Sequence, residues 1–242
     1  MSDTVAIAYC GPAAIPSDLL ARWNFDPLLL TAIAALAIVI AAGRTANAPA
    51  GYAAAVLIIV IFVSPLCALS SALFSARVLH HVLLISAVAP LLAVSLPLRK
   101  LSVPPLALLV GLHAIVLWVW HMPAPYEWGL ASVPRYWLMQ ATLLGSAWLL
   151  WRTILSPTTQ PGSALLALVA TVAQMGLLAA LIVFAQHPLY AVHFASTQAW
   201  GMSPLTDQQL AGLLMWVPAS LSYLGVGLWL AWSNLRPVAP SI

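Results

Sequence analysis

Long apolar runs separated by short polar breaks set the pattern of this chain. A helix crossing a bilayer needs about 20 predominantly apolar residues, with about 17 to 25 tolerated. Seven stretches approach that length. The first, 26–43, reads DPLLLTAIAALAIVIAAG and ends at the polar break RTANAPA. The second covers 51–69, and the third, 78–96, stops at PLRK. The fourth, 105–120, precedes the Pro-rich segment HMPAPYEWGLASVP. The fifth, 136–151, ends at RTILSPTTQPG, and the last two cover 163–185 and 210–232. Between those two lies QHPLYAVHFASTQAWGMSPLTDQQ, a long loop of mixed polarity. The pattern predicts an all-α fold. A single polytopic membrane helix bundle of about seven transmembrane helices would occupy 26–232, after an outer N-terminal segment 1–25 and before a cytoplasmic tail 233–242.

Composition agrees and excludes a soluble domain. Of the 242 residues 63% are hydrophobic and 5% charged, against about 25% charged in an ordinary soluble domain. So little charge cannot cover a water-facing surface, and membrane lipids are the expected surroundings. The net charge of +3 rests on eight Lys and Arg. They form no basic stripe, so nucleic acid is not expected as a partner.

Those few charges carry topology instead. With seven spans, Arg44, Arg99, Lys100, Arg152 and Arg236 fall on one side, and Arg22, Arg77 and Arg135 on the other. The positive-inside rule places the larger group in the cytoplasm, so the N-terminus is expected outside and the C-terminus in the cytoplasm. Asp3, Asp18, Asp26, Glu127 and Asp207 all fall on the outer side. Trp23, Tyr126, Trp128, Trp151, Trp200 and Trp232 lie near span ends, where an interfacial aromatic belt is expected. The start, MSDTVAIAYCGPAAIP, has no basic region before an apolar core, so no cleaved signal peptide is expected.

On this topology the metal-binding side chains gather on one side. His80 and His81 open the third span at its outer end, His121 closes the fourth there, and His187 and His193 lie in the long outer loop. Cys10, Cys67, Met122 and Met202 share that side, and no cytoplasmic loop holds a His or Cys. Imidazole, thiolate and thioether suit copper, the two sulfur types favouring its reduced ion. The plain alternative is a set of interfacial histidines, and no CxxC, HExxH or Met-rich run argues against it. Cys10 and Cys67 leave three readings open: a disulfide on an oxidising side, thiol ligands, or inert thiols. His113 alone sits at membrane depth, as a helix–helix hydrogen bond, a ligand or a proton relay. Pro65, Pro90 and Pro218 mark packing kinks or the broken helices that line transporter sites.

Four segments together resemble the CtaG-type cytochrome c oxidase assembly factors: YCGPAAIPSDLLARWNFDPLLL, SPLCALSSALFSARVLHHVLLISAVAPLLAVSLP, WHMPAPYEWGL and SPLTDQQLAGLLMWVPA. The resemblance covers nearly the whole chain, in the family's order. It implies a seven-span protein of the bacterial inner membrane. Its role would be non-enzymatic: binding copper at the extracytoplasmic face and helping to load a haem–copper oxidase. A cytochrome c oxidase subunit and a periplasmic copper donor are the implied partners. His81 matches a family histidine at the start of the third span, His121 the Trp-His-x-Pro histidine, and Asp207 the acidic residue before Gln-Gln. The chain differs where it has Arg77 and Cys67, positions at which the family often has His, and Asp or His. It also has His80 for a frequent Gln, and Tyr136 and Gln140 where histidines are common. A site shifted onto Cys67, His80 and His81, or a member without metal binding, both fit those differences. The candidate copper ligands are therefore His81, His80, His121, Cys67, His193, His187, Cys10, Asp207 and Met122.

Two other classes compete. A transporter or channel for a metal ion or small solute needs polar groups at several depths, and only His113, Gln174 and Ser86 offer them. An intramembrane enzyme would need a serine in a GxSG context or HExxH, and neither occurs.

Overall fold

The computed structural model describes residues 9–96 and 104–235. The topology charges Asp3, Arg99, Lys100 and Arg236, and 236–242 of the tail, lie outside the described residues. Among the described residues there is no strand. The chain forms α1 (Pro27–Ala41), α2 (Ala48–Val63), α3 (Leu66–Ala72), α4 (Phe74–Ser95), α5 (Leu106–His121), α6 (Pro123–Leu130), α7 (Val133–Ile154), α8 (Pro161–Val183) and α9 (Pro204–Leu235).

Prolines mark many of the starts. Pro27, Pro49, Pro123, Pro134 and Pro161 each stand in the first turn of a helix, where the missing N–H would have had no helical partner anyway. Asp26 and Asn47 complete two of these starts by accepting from Leu28 N (2.8 Å) and Ala50 N (3.0 Å). At Ser64–Pro65 the chain bends by 45° from α2 into α3, and at Met122 it turns by 77° from α5 into α6.

By length and apolarity α4, α8 and α9 can each cross a membrane alone, and the bent pairs α2/α3 and α5/α6 raise that number to five. α1 is a shorter apolar helix of 15 residues. α7 has 22 residues but is less apolar, carrying Arg135, Gln140, Thr142 and Arg152. Outward positions are large and apolar, among them Leu28, Ile38, Leu108, Ile115, Leu166 and Leu228. A surface of that kind is at home in hydrocarbon, and this is a membrane protein.

α4 is the central helix, packed against α2, α3, α7 and α9, while α9 also lies along α8. Gly212 of α9 sets that last approach: a Cβ there would stand 2.5 Å from Val183 Cγ2 and 3.0 Å from the Ala179 carbonyl oxygen. Small residues at crossings are how membrane helices gain close packing.

Inside α4, residues Leu84–Val88 form a π turn just before Pro90. In a π turn the carbonyl of residue i accepts from the N–H of residue i+5, and the donor for Ile85 would be Pro90, which has none. The indole of Trp151 on α7 supplies it, donating to the Ile85 carbonyl at 2.9 Å. Pro90 is thus a packing feature tied to a neighbouring helix.

Two belt expectations are corrected by burial. Trp151 is fully buried for the reason just given, and Tyr126 is 1% exposed. The third predicted span also starts too late: α4 begins at Phe74, so Arg77, assigned to an outer connection, lies within the bundle.

Trp151→Phe keeps the ring and removes the donor, leaving the Ile85 carbonyl unpaired. We expect a loss of about 1–3 kcal/mol, read as a lower unfolding midpoint in detergent, with Trp148→Phe as a comparison that should change it far less.

Candidate functional site

The site begins with how α4 starts. Leu73 is extended (φ −124°, ψ 132°) and separates α3 from α4 without offering a side-chain cap. The donors of the first turn are satisfied from another helix. Asp207, in the first turn of α9, accepts from Phe74 N at 2.7 Å and Ser75 N at 3.1 Å, and from the Ser75 hydroxyl. A carboxylate is well placed there, because the helix dipole and charge-assisted hydrogen bonds both favour it.

With that start fixed, Arg77, His80 and His81 share one face of α4 at spacings of three and four residues. They lie about 5–10 Å along the axis from Phe74 at 1.5 Å per residue. All three are buried, at 0%, 0% and 2% exposure. His121, the last residue of α5, meets them: its ring centroid is 5.7 Å from that of His81, and His80 is 5.9 Å from His81, each pair nearly perpendicular. The His121 Nδ1–H donates to the Leu117 carbonyl at 2.7 Å, which leaves Nε2 bare and without a protein partner. His81 Nε2 stands 3.4 Å from Gln140 Nε2, and its Nδ1 has no protein partner. His80 packs edge-on against Phe62, and neither of its ring nitrogens is hydrogen-bonded to protein.

Arg77 is the unusual member. Its Nη1 donates to Tyr136 Oη at 3.3 Å, and its guanidinium carbon lies 5.2 Å from the Tyr136 ring centroid. Nε and Nη2 have no protein partner. Among the described residues no carboxylate lies within ion-pairing distance of Arg77.

Two segments cover this end of the bundle. In the loop between α8 and α9, Tyr190 donates to the His121 carbonyl at 2.7 Å and stacks on Phe74. His193 Nε2 is 2.7 Å from Tyr126 Oη. Burial pushes the His193 imidazole down to about 3, with the Arg77 charge acting in the same direction. The N-terminal segment is the second. Tyr9 stacks on Tyr136 at 4.7 Å, and Cys10 is disulfide-bonded to Cys67, with Cα atoms 5.3 Å apart.

Of the nine candidate ligands, the structure brings His80, His81 and His121 together. Cys10 and Cys67 are bonded to each other, which corrects their assignment as thiol ligands: a disulfide sulfur is no thiolate. Asp207 is corrected from ligand to helix cap. His193 is tied to Tyr126, and His187 and Met122 are exposed, Met122 at 53%. His113 bonds Ser146 Oγ across α5 and α7 at 3.0 Å. Among the described residues no group of three or more His, Cys, Asp or Glu has the geometry of a metal site. The site residues that spacing did not reveal are Arg77, Tyr126, Tyr136 and Gln140. Arg77 did carry a signal in sequence, because it stands three and four residues before two histidines.

Asp207→Ala should unseat the start of α4. We expect a loss of about 1.5–3 kcal/mol, the range for a hydrogen bond to a charged group, in unfolding measured in detergent. Asp207→Asn, which keeps an acceptor, should lose less.

No curated protein and no solved structure matches this chain. A family model does: the one described as cytochrome c oxidase caa3 assembly factor (Caa3_CtaG) matches residues 41–236. That stretch takes in α4, the histidines of the cluster and Asp207. This chain belongs to the cytochrome c oxidase caa3 assembly factor family.

Proposed function

We propose that the protein is a seven-span factor of the bacterial inner membrane that holds copper(I) as cargo for an assembling oxidase, at the extracytoplasmic end of its bundle. One crossing each for α1, α2/α3, α4, α5/α6, α7, α8 and α9 would make seven and put the termini on opposite sides. The Cys10–Cys67 disulfide supports the orientation, because such bonds persist in oxidising compartments. The histidine cluster lies at that same end.

The observation that carries the copper reading is the His81–His121 pair. His121 has its Nδ1–H fixed on a backbone carbonyl and a bare Nε2, which is how a metal-binding imidazole is commonly prepared. His81 faces it at 5.7 Å between ring centroids and has a free Nδ1. Two imidazoles can hold copper(I) without sulfur, and His80 is the third nitrogen donor within reach. A transport path gains no support: His113 is engaged with Ser146, and Gln174 accepts from Trp118 at 3.0 Å.

Anaerobic titration of the purified protein with copper(I) against a chromophoric competitor tests this reading. Wild type should bind stoichiometrically, and His81→Ala or His121→Ala should weaken binding by at least about 10–100-fold, the scale on which even supporting groups act. Absence of binding in wild type, or undiminished binding in both variants, would overturn it. In cells, loss of the protein should leave the oxidase polypeptide present and short of copper.

A further inference from the structure

We infer that Arg77 forms the centre of a binding site for a small monovalent anion of halide size, buried among α4, α5 and α7. The inference goes beyond the copper reading and does not depend on it.

The argument starts from charge. A guanidinium keeps its positive charge in proteins, and Arg77 is 0% exposed in a bundle of apolar helices. Among the described residues no carboxylate pairs with it. Asp207, the acid that reaches the same helix, is committed to Phe74 N, Ser75 N and the Ser75 hydroxyl. Tyr136 gives Arg77 one hydrogen bond and a ring face, but no counter-charge. A buried charge left without a partner is among the least favourable arrangements in a protein, and in a membrane it marks function by default. Water could satisfy the free N–H groups but would bring no negative charge into contact with the guanidinium, and the Asp207 carboxylate one turn away forms no ion pair with it.

The hydrogen-bonding groups around Arg77 have the matching sign. Its own Nε and Nη2 are donors without acceptors. A neutral imidazole carries one N–H, and neither nitrogen of His80 has a protein partner, so His80 offers one more unused donor one turn along the same face.

Enclosure sets the size and valence. His80, His81, Tyr126, Tyr136 and Gln140 are all at most 2% exposed, so no peptide or lipid headgroup can enter without moving helices. One guanidinium balances one negative charge, which disfavours sulfate and phosphate. A halide meets the charge and the donor set together.

The test uses the full-length protein in detergent, without copper. Equilibrium binding of radiolabelled chloride to wild type should be saturable and stoichiometric, and bromide should displace the label. Thermal unfolding at constant ionic strength should show a midpoint several degrees higher in chloride than in gluconate. In Arg77→Gln the chloride dependence should vanish. Absence of saturable chloride binding to wild type overturns the inference, whether or not the variant folds. So does a well-folded Arg77→Gln protein that keeps the wild-type chloride response. Because copper is absent throughout, failure here is separate from failure of the copper reading.

Discussion

The seating of α4 on Asp207 is the constraint on which the rest of the molecule depends. A helix that begins among apolar neighbours cannot leave its first N–H groups to water, and Leu73 supplies no cap. The carboxylate from α9 fills that need and fixes where α4 begins. Everything of chemical interest on α4 follows in register: Arg77 and the two histidines on one face, then the π turn at Leu84–Val88, then Pro90. Trp151 pins the second half of the helix as Asp207 pins the first. The central helix is thus held by polar contacts at its start and near its middle within a largely apolar packing.

The same constraint explains what could be read from the sequence and what could not. Apolar length is a local property, so each predicted stretch overlaps helix, although the second, 51–69, runs across the bend at Ser64–Pro65. The ends are less legible, because a terminus is set by whatever satisfies the backbone there. Ser75 and Arg77 look like the close of a polar loop until Asp207, more than 130 residues away in sequence, is seen to make a helix start of them. The one-sided histidines were visible as a group. Which of them meet depends on helix rotation, and hydropathy does not encode that when helices are apolar nearly all round. Cys10 and Cys67 were correctly placed at one end, and proximity in space then decided among the readings left open for them. Tyr126 and Trp151 show the limit of the aromatic-belt rule: each has a polar tip with a buried partner, so position near a span end misled.

Covering this end of the bundle makes the cluster a low-dielectric place. The loop between α8 and α9 is tied down through Tyr190 to the His121 carbonyl and through Ser196 to the Ala72 carbonyl. The N-terminal segment is tied down by the disulfide and by the Tyr9–Tyr136 stack. Gln208 joins the loop to the bundle by accepting from Leu189 N and donating to the Ile182 carbonyl. Asp207 and Gln208, adjacent in sequence, therefore secure the start of α4 and the covering loop from the same turn of α9. Removing water strengthens every interaction that remains, including unwelcome ones.

That is why Arg77 matters to any reading of the histidines. Like charges repel strongly where water is excluded, so a copper ion beside His81 would bind less tightly for the guanidinium on the same face of α4. An anion held against Arg77 cancels most of that field. Cation and anion would then be cooperative occupants of one cluster: each makes the other's charge tolerable. By linkage the coupling is reciprocal, and copper would raise anion affinity by the factor by which the anion raises copper affinity. With copper and anion both bound, the arginine would make charge balance, besides ligand geometry, govern the cluster.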